Sequence, residues 1–346
     1  MTAAQWFTER PGRYGALLIG MLVLLLLSCL ISVTFGSASV PLSNVAEILV
    51  FKLFGWVKVP HSWATSQEVI VWLIRLPRVL LGALVGAGLA LIGSALQAVT
   101  RNPLADPHLL GATSGATLGA VIVVLHLGEA LGMLTLPLAA FAGSLTSLCM
   151  VLWIASRQGR LDGERLLLGG VAVSFVMMAL ANLMLFLGDQ RASTSVLFWM
   201  LGGLGLARWE MLPVPLVTVL LGWIALQGLG RSLNALMAGD QTAISLGLQV
   251  ANVRLLVFLI ASLMTGVLVA ISGSIGFVGL MVPHIARRLV GAEHRRLLPL
   301  AALVGALLMV WVDVIARTLI APQDLPIGIP TALLGGFFFV VLMRRK

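Results

Sequence analysis

The chain has 346 residues, of which 60% are hydrophobic and only 10% charged, and its mean hydropathy is +1.07. A water-soluble domain carries about a quarter charged residues, so this chain has too few polar groups to cover its own surface, and a soluble globular fold is excluded. The formal charge of +9 does not point to nucleic acid, because the basic residues are scattered between apolar runs instead of gathered in one patch.

Apolar runs of about twenty residues recur from Tyr14 to Leu342, each long enough to cross ~30 Å of hydrocarbon as a helix. The first, Gly15 to Val33, follows Arg10 and Arg13. It is longer than the apolar part of a secretory signal and has no small-residue cleavage site after it, so it reads as a retained span. Ten spans are predicted, at roughly 14–35, 76–98, 107–127, 133–155, 166–187, 211–229, 254–271, 276–290, 298–317 and 328–343. The fold class is therefore all-α, a polytopic membrane protein made of one transmembrane domain over 1–346. With both termini inside, 15 of the 22 basic residues fall on the cytoplasmic side. The seven outside are Lys52, Lys58, Arg75, Arg78, Arg191, Arg208 and Arg317.

Pro41 to Phe54 places Leu42, Val45, Ile48, Leu49 and Leu53 at helical spacing, with Ser43 or Asn44 as a cap, and reads as an external interfacial helix. Gly82 with Gly86, and Gly111, Gly115 and Gly119, form small-residue stripes that let membrane helices approach closely. Between the second and third spans, Asn102, Pro103, Leu104, Asp106 and Pro107 make a tight polar turn. Asp189, Arg191, Arg208 and Glu210 fall near the outer vestibule, either touching substrate or forming a solvated rim. The stretch from Arg231 to Arg254 is polar enough to leave the membrane on the cytoplasmic side, with Asp240 capping a short helix from Gln241 to Leu248. Seven residues from Gly86 to Gly111 match residues 180 positions later, from Gly266 to Gly291. Such an offset is compatible with an inverted repeat of the kind transporters use.

Some chemistries have no residues to support them. The chain has three lysines and none follows a glycine-rich loop, so it has no phosphate-binding cradle. No paired carboxylates, zinc-protease helix or nucleophile elbow occurs, and His61, His108, His126, His284 and His294 lack metal-ligand spacing. No catalytic residue, cofactor or metal is expected. Cys29 and Cys149 read as buried packing thiols.

Three stretches carry a family resemblance. The first runs from Arg75-Leu-Pro-Arg78 through Gly86-Ala-Gly88 and Gln97 to Arg101-Asn-Pro-Leu-Ala-Asp-Pro107 and Leu110-Gly111. The second is Gly239-Asp240 with Ser245-Leu246-Gly247, and the third is Ser272 to Arg288 with Asp313, Arg317 and Leu325-Pro-Ile-Gly328. Together they resemble the permeases that import iron-siderophores, haem and cobalamin through ABC transporters. Asp324 replaces a usual Glu, and Gly336 a common Pro.

The resemblance implies a type II ABC importer permease in a bacterial inner membrane, moving an iron-siderophore or a haem- or cobalamin-like chelate inward. Its implied partners are a second permease subunit (a copy or a paralogue), two cytoplasmic ATPases, a periplasmic binding protein and the surrounding lipid, with no nucleic acid. It further implies that Arg75, Arg78 and Arg317 dock the binding protein's glutamates, against the plainer reading of interfacial anchors with an Asp313–Arg317 pair. Asn102 and Leu104 would narrow the cytoplasmic gate. Gly239, Asp240, Ala243, Leu246 and Gly247, within a segment at about 231–253, would couple to the ATPase. The competing readings are an ion-gradient-driven secondary transporter, for which Asp313 is the best coupling carboxylate, and an intramembrane enzyme, which lacks a catalytic constellation.

Overall fold

The computed structural model describes residues 11–55, 63–107, 111–127, 135–157, 160–161 and 163–344. Arg10, Lys58, His61, His108 and Leu110, singled out above, lie outside them. The described chain is almost wholly helical; Ser156–Arg157 and Arg160–Leu161 form one short antiparallel pair.

Helix α1 is Pro11–Thr34 and α2 is Leu42–Phe54. Helix α3 runs unbroken over Thr65–Thr100, with a π-helical stretch at Val69–Arg75. Then come α4 (Ala112–Ile122), α5 (Thr135–Ala155), α6 (Gly163–Leu187), α7 (Gln190–Met200) and α8 (Pro213–Gly228). The rest is α9 (Gly230–Met237), α10 (Asp240–Ser245), α11 (Val250–Ser272), α12 (Val278–Val290), α13 (His294–Thr318) and α14 (Gly328–Arg344).

Every one of the ten predicted spans contains a helix, but they are not ten equal crossings. Among the described residues seven helices are long and apolar enough to cross a membrane, and the helices beginning at Ala112 and Gly328 are shorter. The span expected at 276–290 is the 13-residue α12, about 20 Å long at 1.5 Å per residue. The backbone before it leaves the helical form at Gly273 (φ 67°) and Phe277 (φ 67°). Unpaired peptide groups are costly in lipid, and the segments beside this break bond to one another through their backbones. Gly203 N–H donates to the Ser272 carbonyl at 2.9 Å, while Ile327 and Gly328 donate to Gly202 and Leu201 at 3.0 Å each.

Helix α3 is the hub, packing on α13 most extensively and also on α12, α11 and α8. Lipid is as apolar as the side chains, so helix association depends on close packing rather than on the hydrophobic effect. The glycines supply it. A Cβ at Gly86 would overlap the Gly305 carbonyl of α13, and one at Gly93 would overlap the Gly279 carbonyl of α12. The second stripe does the same for α4 and α5, with Gly115 against Gly143 and Gly119 against Ala139. Only its first member departs, since Gly111 (φ 76°) precedes the helix.

Helix α2 forms where the spacing predicts, burying Val45 and Ile48, whereas Leu42 and Leu53 of the same series are exposed. Its expected cap is corrected: Pro41 holds the N-cap position, and Asn44, inside the helix, donates to Gln67 Oε1 at 2.9 Å. Cys149 is exposed and Cys29 partly so, which corrects the buried-thiol expectation. The 180-residue offset pairs similar local structure at some positions, with Gly86 and Ala90 matching Gly266 and Ala270 inside helices and Gly111 and Gly291 both at positive φ, and different structure at others. Gly93 is mid-helix where Gly273 ends one, and Pro103 lies in a turn where Pro283 lies inside α12.

Candidate functional site

The candidate residues gather at the two ends of α3, whose stretch from Arg78 to Thr100 spans about 33 Å. At the first end, the π-helical turn brings Arg75 and Arg78 inward, and both are buried. Arg75 donates from Nη1 to the carbonyls of Val33 (2.9 Å) and Thr34 (3.1 Å), and from Nη2 to that of Ala38. The last carbonyls of a helix have no partner within it, so Arg75 caps α1. Gly36 leaves room for this guanidinium, which a Cβ there would overlap. Arg317, also buried, reaches the same place from α13, donating to the carbonyls of Phe35 and Ser32 at 3.0 Å each.

Asp313 joins the group. Fully buried, it accepts from Arg78 Nε at 2.8 Å, and its second oxygen lies 3.0 Å from Arg317 Nε, off the hydrogen-bonding line but within charge-pairing range. The i,i+4 pair read from the sequence is therefore present. Arg78 also holds Asp324, whose side chain is half exposed. Each of the three arginines expected to dock a partner is thus committed to internal acceptors. Sequence reasoning did not foresee Asp324 or the α1 carbonyls as partners. Arg78 and Asp324 are 246 positions apart, and no local pattern links them.

At the other end, α3 stops at Arg101, which adopts the left-handed conformation (φ 50°). The following turn is the tight polar turn expected. Asn102 Oδ1 accepts from Leu104 N–H at 2.9 Å and the Asn102 carbonyl from Ala105 N–H at 3.1 Å. Leu104 projects outward, half exposed.

Helix α10 begins at Asp240, one residue earlier than predicted, and ends three residues sooner, at Ser245. Asp240 is not its cap. Gly239 (φ 117°) holds that position, without a side-chain cap bond, and the Asp240 carboxylate turns away to Arg254 Nη2 (2.9 Å) and Arg101 Nη2 (3.6 Å). Gly247 (φ 81°) closes the helix, its N–H donating to Ile244 and that of Leu248 to Ala243. This pair of bonds needs a left-handed residue, hence glycine. The five expected coupling residues therefore do not share one role. Ala243 is buried and Asp240 is paired inward, whereas Leu246 is 67% and Ile244 55% exposed and Gly247 shapes the end between them. Ile244 had not been singled out.

A second inner cluster was also missed. Gln97, buried in α3, donates to the Gly279 carbonyl at 3.2 Å and accepts from Arg287 of α12. His294 Nδ1 sits 2.6 Å from Asn234 Oδ1. Asp189, Arg208 and Glu210 lie in or beside the α6–α8 connections, and the structure assigns them no ligand role.

The chain matches the model of the FecCD transport family over residues 24–345. The hemin transport system permease protein HmuU of Yersinia pestis is 41% identical over 82% of this chain and 87% of its own length. The cobalamin import system permease protein BtuC of Halobacterium salinarum is 40% identical over 81% of this chain and 75% of its own. A solved metal-chelate type ABC transporter in an inward-facing conformation aligns with a TM-score of 0.82 and 34% identity, covering 96% of this chain and all of that one. The chain belongs to the FecCD transport family. It is the permease of an ABC importer, and ATP hydrolysis resides in separate subunits.

Proposed function

We propose that this FecCD-family permease carries an intact metal chelate, an iron-siderophore or related iron complex first among them, across a bacterial inner membrane into the cytoplasm. The observation that supports this most is the similarity, along nearly the whole chain, to a metal-chelate type transporter and to permeases named for hemin and cobalamin. The ion-gradient alternative is weakened by Asp313, its best coupling carboxylate, which is fully buried between two arginines.

In this reading the whole chain acts as one transmembrane unit, paired with a second copy or a paralogue. Both termini and α10 lie in the cytoplasm, and the exposed Ile244 and Leu246 seat on the ATPase. The Asn102–Leu104 turn narrows the exit. The Arg75, Arg78 and Arg317 cluster receives the binding protein, with Arg78 the arginine whose half-exposed partner, Asp324, an incoming glutamate can replace. Arg75 and Arg317 hold the cluster in shape.

Reconstitution of the permease with its ATPase and binding protein in liposomes tests the reading. ATP-dependent accumulation of a labelled ferric siderophore or haemin is expected, and accumulation of cyanocobalamin alone overturns the iron assignment. Orientation is tested in intact cells with an impermeant maleimide. Leu319→Cys, exposed beside Arg317, should be modified and Leu246→Cys spared, and the reverse pattern inverts the topology.

A further inference from the structure

Helix α10 is only six residues long, and it packs on α9 and α11. Its inward contacts do more than anchor it. Arg254, at the base of α11 and buried, holds Asp240 with one nitrogen (2.9 Å) and donates from Nε to the Val99 carbonyl at 3.2 Å. Val99 lies in the last turn of α3. Two residues further on, Arg101 leaves α3 in the left-handed conformation and returns to Asp240 at 3.6 Å. The links close a circuit: Asp240, Arg254, Val99, Arg101 and back to Asp240. Asn102 is the next residue along, so the circuit ends where the gate turn begins.

We infer that Asp240, Arg254 and Arg101 form a strut that transmits displacement of α10 to the end of α3 and hence to the Asn102–Leu104 turn, an inference that rests on the coupling role proposed for α10. Simple anchoring of α10 requires only one of these links. The additional bonds all terminate on α3, an element that α10 would otherwise move only indirectly. The burial of the participants fits a moving joint. Arg254 is shut inside, whereas the side chains of Asp240 and Arg101 are 33% and 48% exposed, so water can replace their contact as they shift. Asp240 is thus a positioning residue, acting on the gate through arginines, while Ile244 and Leu246 form the face for the ATPase.

The test uses the full permease–ATPase complex and needs no transported ligand. Leu104→Cys is introduced with Cys29→Ser and Cys149→Ser, and its N-ethylmaleimide labelling rate is compared before and after trapping with Mg-ATP and vanadate. With Asp240 intact the rate should change by about fivefold or more, the lower end of ordinary coupling between sites. In Asp240→Asn the change should vanish while ATPase co-purification and ATP hydrolysis persist. Asp240→Glu should restore it, which a merely destabilised fold would not do. Arg101→Gln, at a half-exposed position, should reduce the change and decides the matter if Asp240→Asn fails to fold.

An undiminished response in Asp240→Asn overturns the strut, as does a Leu104→Cys that is insensitive to ATP with Asp240 in place. Loss of ATPase co-purification in Asp240→Asn also overturns it, because Asp240 would then belong to the ATPase face. Leu246→Asp tests that face separately. If it leaves co-purification intact, the coupling role of α10 fails whatever Asp240 does.

Discussion

The two ends of α3 both use arginine and aspartate, yet they solve different problems. At the Arg78 end the fully buried Asp313 lies between two arginines, and Arg75 and Arg317 close off the carbonyls of α1. At the Arg101 end one partly exposed aspartate holds one buried and one half-exposed arginine. Charges sealed from water cannot exchange partners cheaply, because breaking one pair leaves an uncompensated ion in a low-dielectric interior. Charges with water beside them can exchange. The first arrangement makes a rigid joint between α1, α3 and α13, and the second makes a joint that can move. On the proposed reading the rigid joint frames the docking surface and the compliant joint lies where the ATPase acts.

Asp313→Asn gives the largest expected effect. It leaves Arg78 and Arg317 without their shared counter-ion and should cost about 3–5 kcal/mol, seen as a large drop in folded yield and in thermal unfolding midpoint in detergent. A midpoint near that of the unmodified chain would erase the distinction between the two ends. Arg75→Met comes next. It strips the Val33, Thr34 and Ala38 carbonyls of their donor, at about 1–3 kcal/mol for each buried group left unsatisfied. Because Gly36 and its neighbours can rehydrate, a total toward the lower end is expected, read as faster proteolysis near residues 34–40.

Asp240→Asn should cost about 1–3 kcal/mol, less than Asp313→Asn, since Asp240 and Arg101 are screened by solvent while the buried Arg254 loses a charged partner, so its unfolding midpoint should fall only modestly. A loss comparable to that of Asp313→Asn would make the inner cluster a second rigid joint. Asp324→Asn should be smallest in stability, at about 0–1 kcal/mol for a half-exposed pair. It nevertheless sharpens the comparison, because it frees Arg78. Association with the binding protein should then strengthen and become more sensitive to salt, and unchanged affinity would remove Arg78 from the docking surface.

Much of this was legible in the residues. Composition alone required lipid as the solvent, because 10% charged residues cannot cover a surface of this size in water. The glycine stripes announced close helix packing, the Asn102–Pro107 turn is as its residues dictate, and the Asp313–Arg317 pair follows from i,i+4 spacing. These are local properties, set by side chains within a turn or two of one another. The family resemblance carried the functional reading further than composition or spacing did.

What only the tertiary structure decided is which groups meet across the chain. Arg78 finds Asp313 and Asp324 at separations of 235 and 246 residues, and Arg75 finds the end of α1, because the fold happens to place them there. Charge at a helix mouth looks the same in sequence whether it is bare or sealed. Asp240 had two local options, capping α10 or leaving it, and the nearby Arg254 and Arg101 settled the choice. The shortness of α12 is tied to the unwinding before it, where Gly273 and Phe277 leave the helical form and Gly203 N–H bonds the Ser272 carbonyl across the chain. Local chemistry determines what a segment can form, whereas long-range partners determine which of its possible forms costs least.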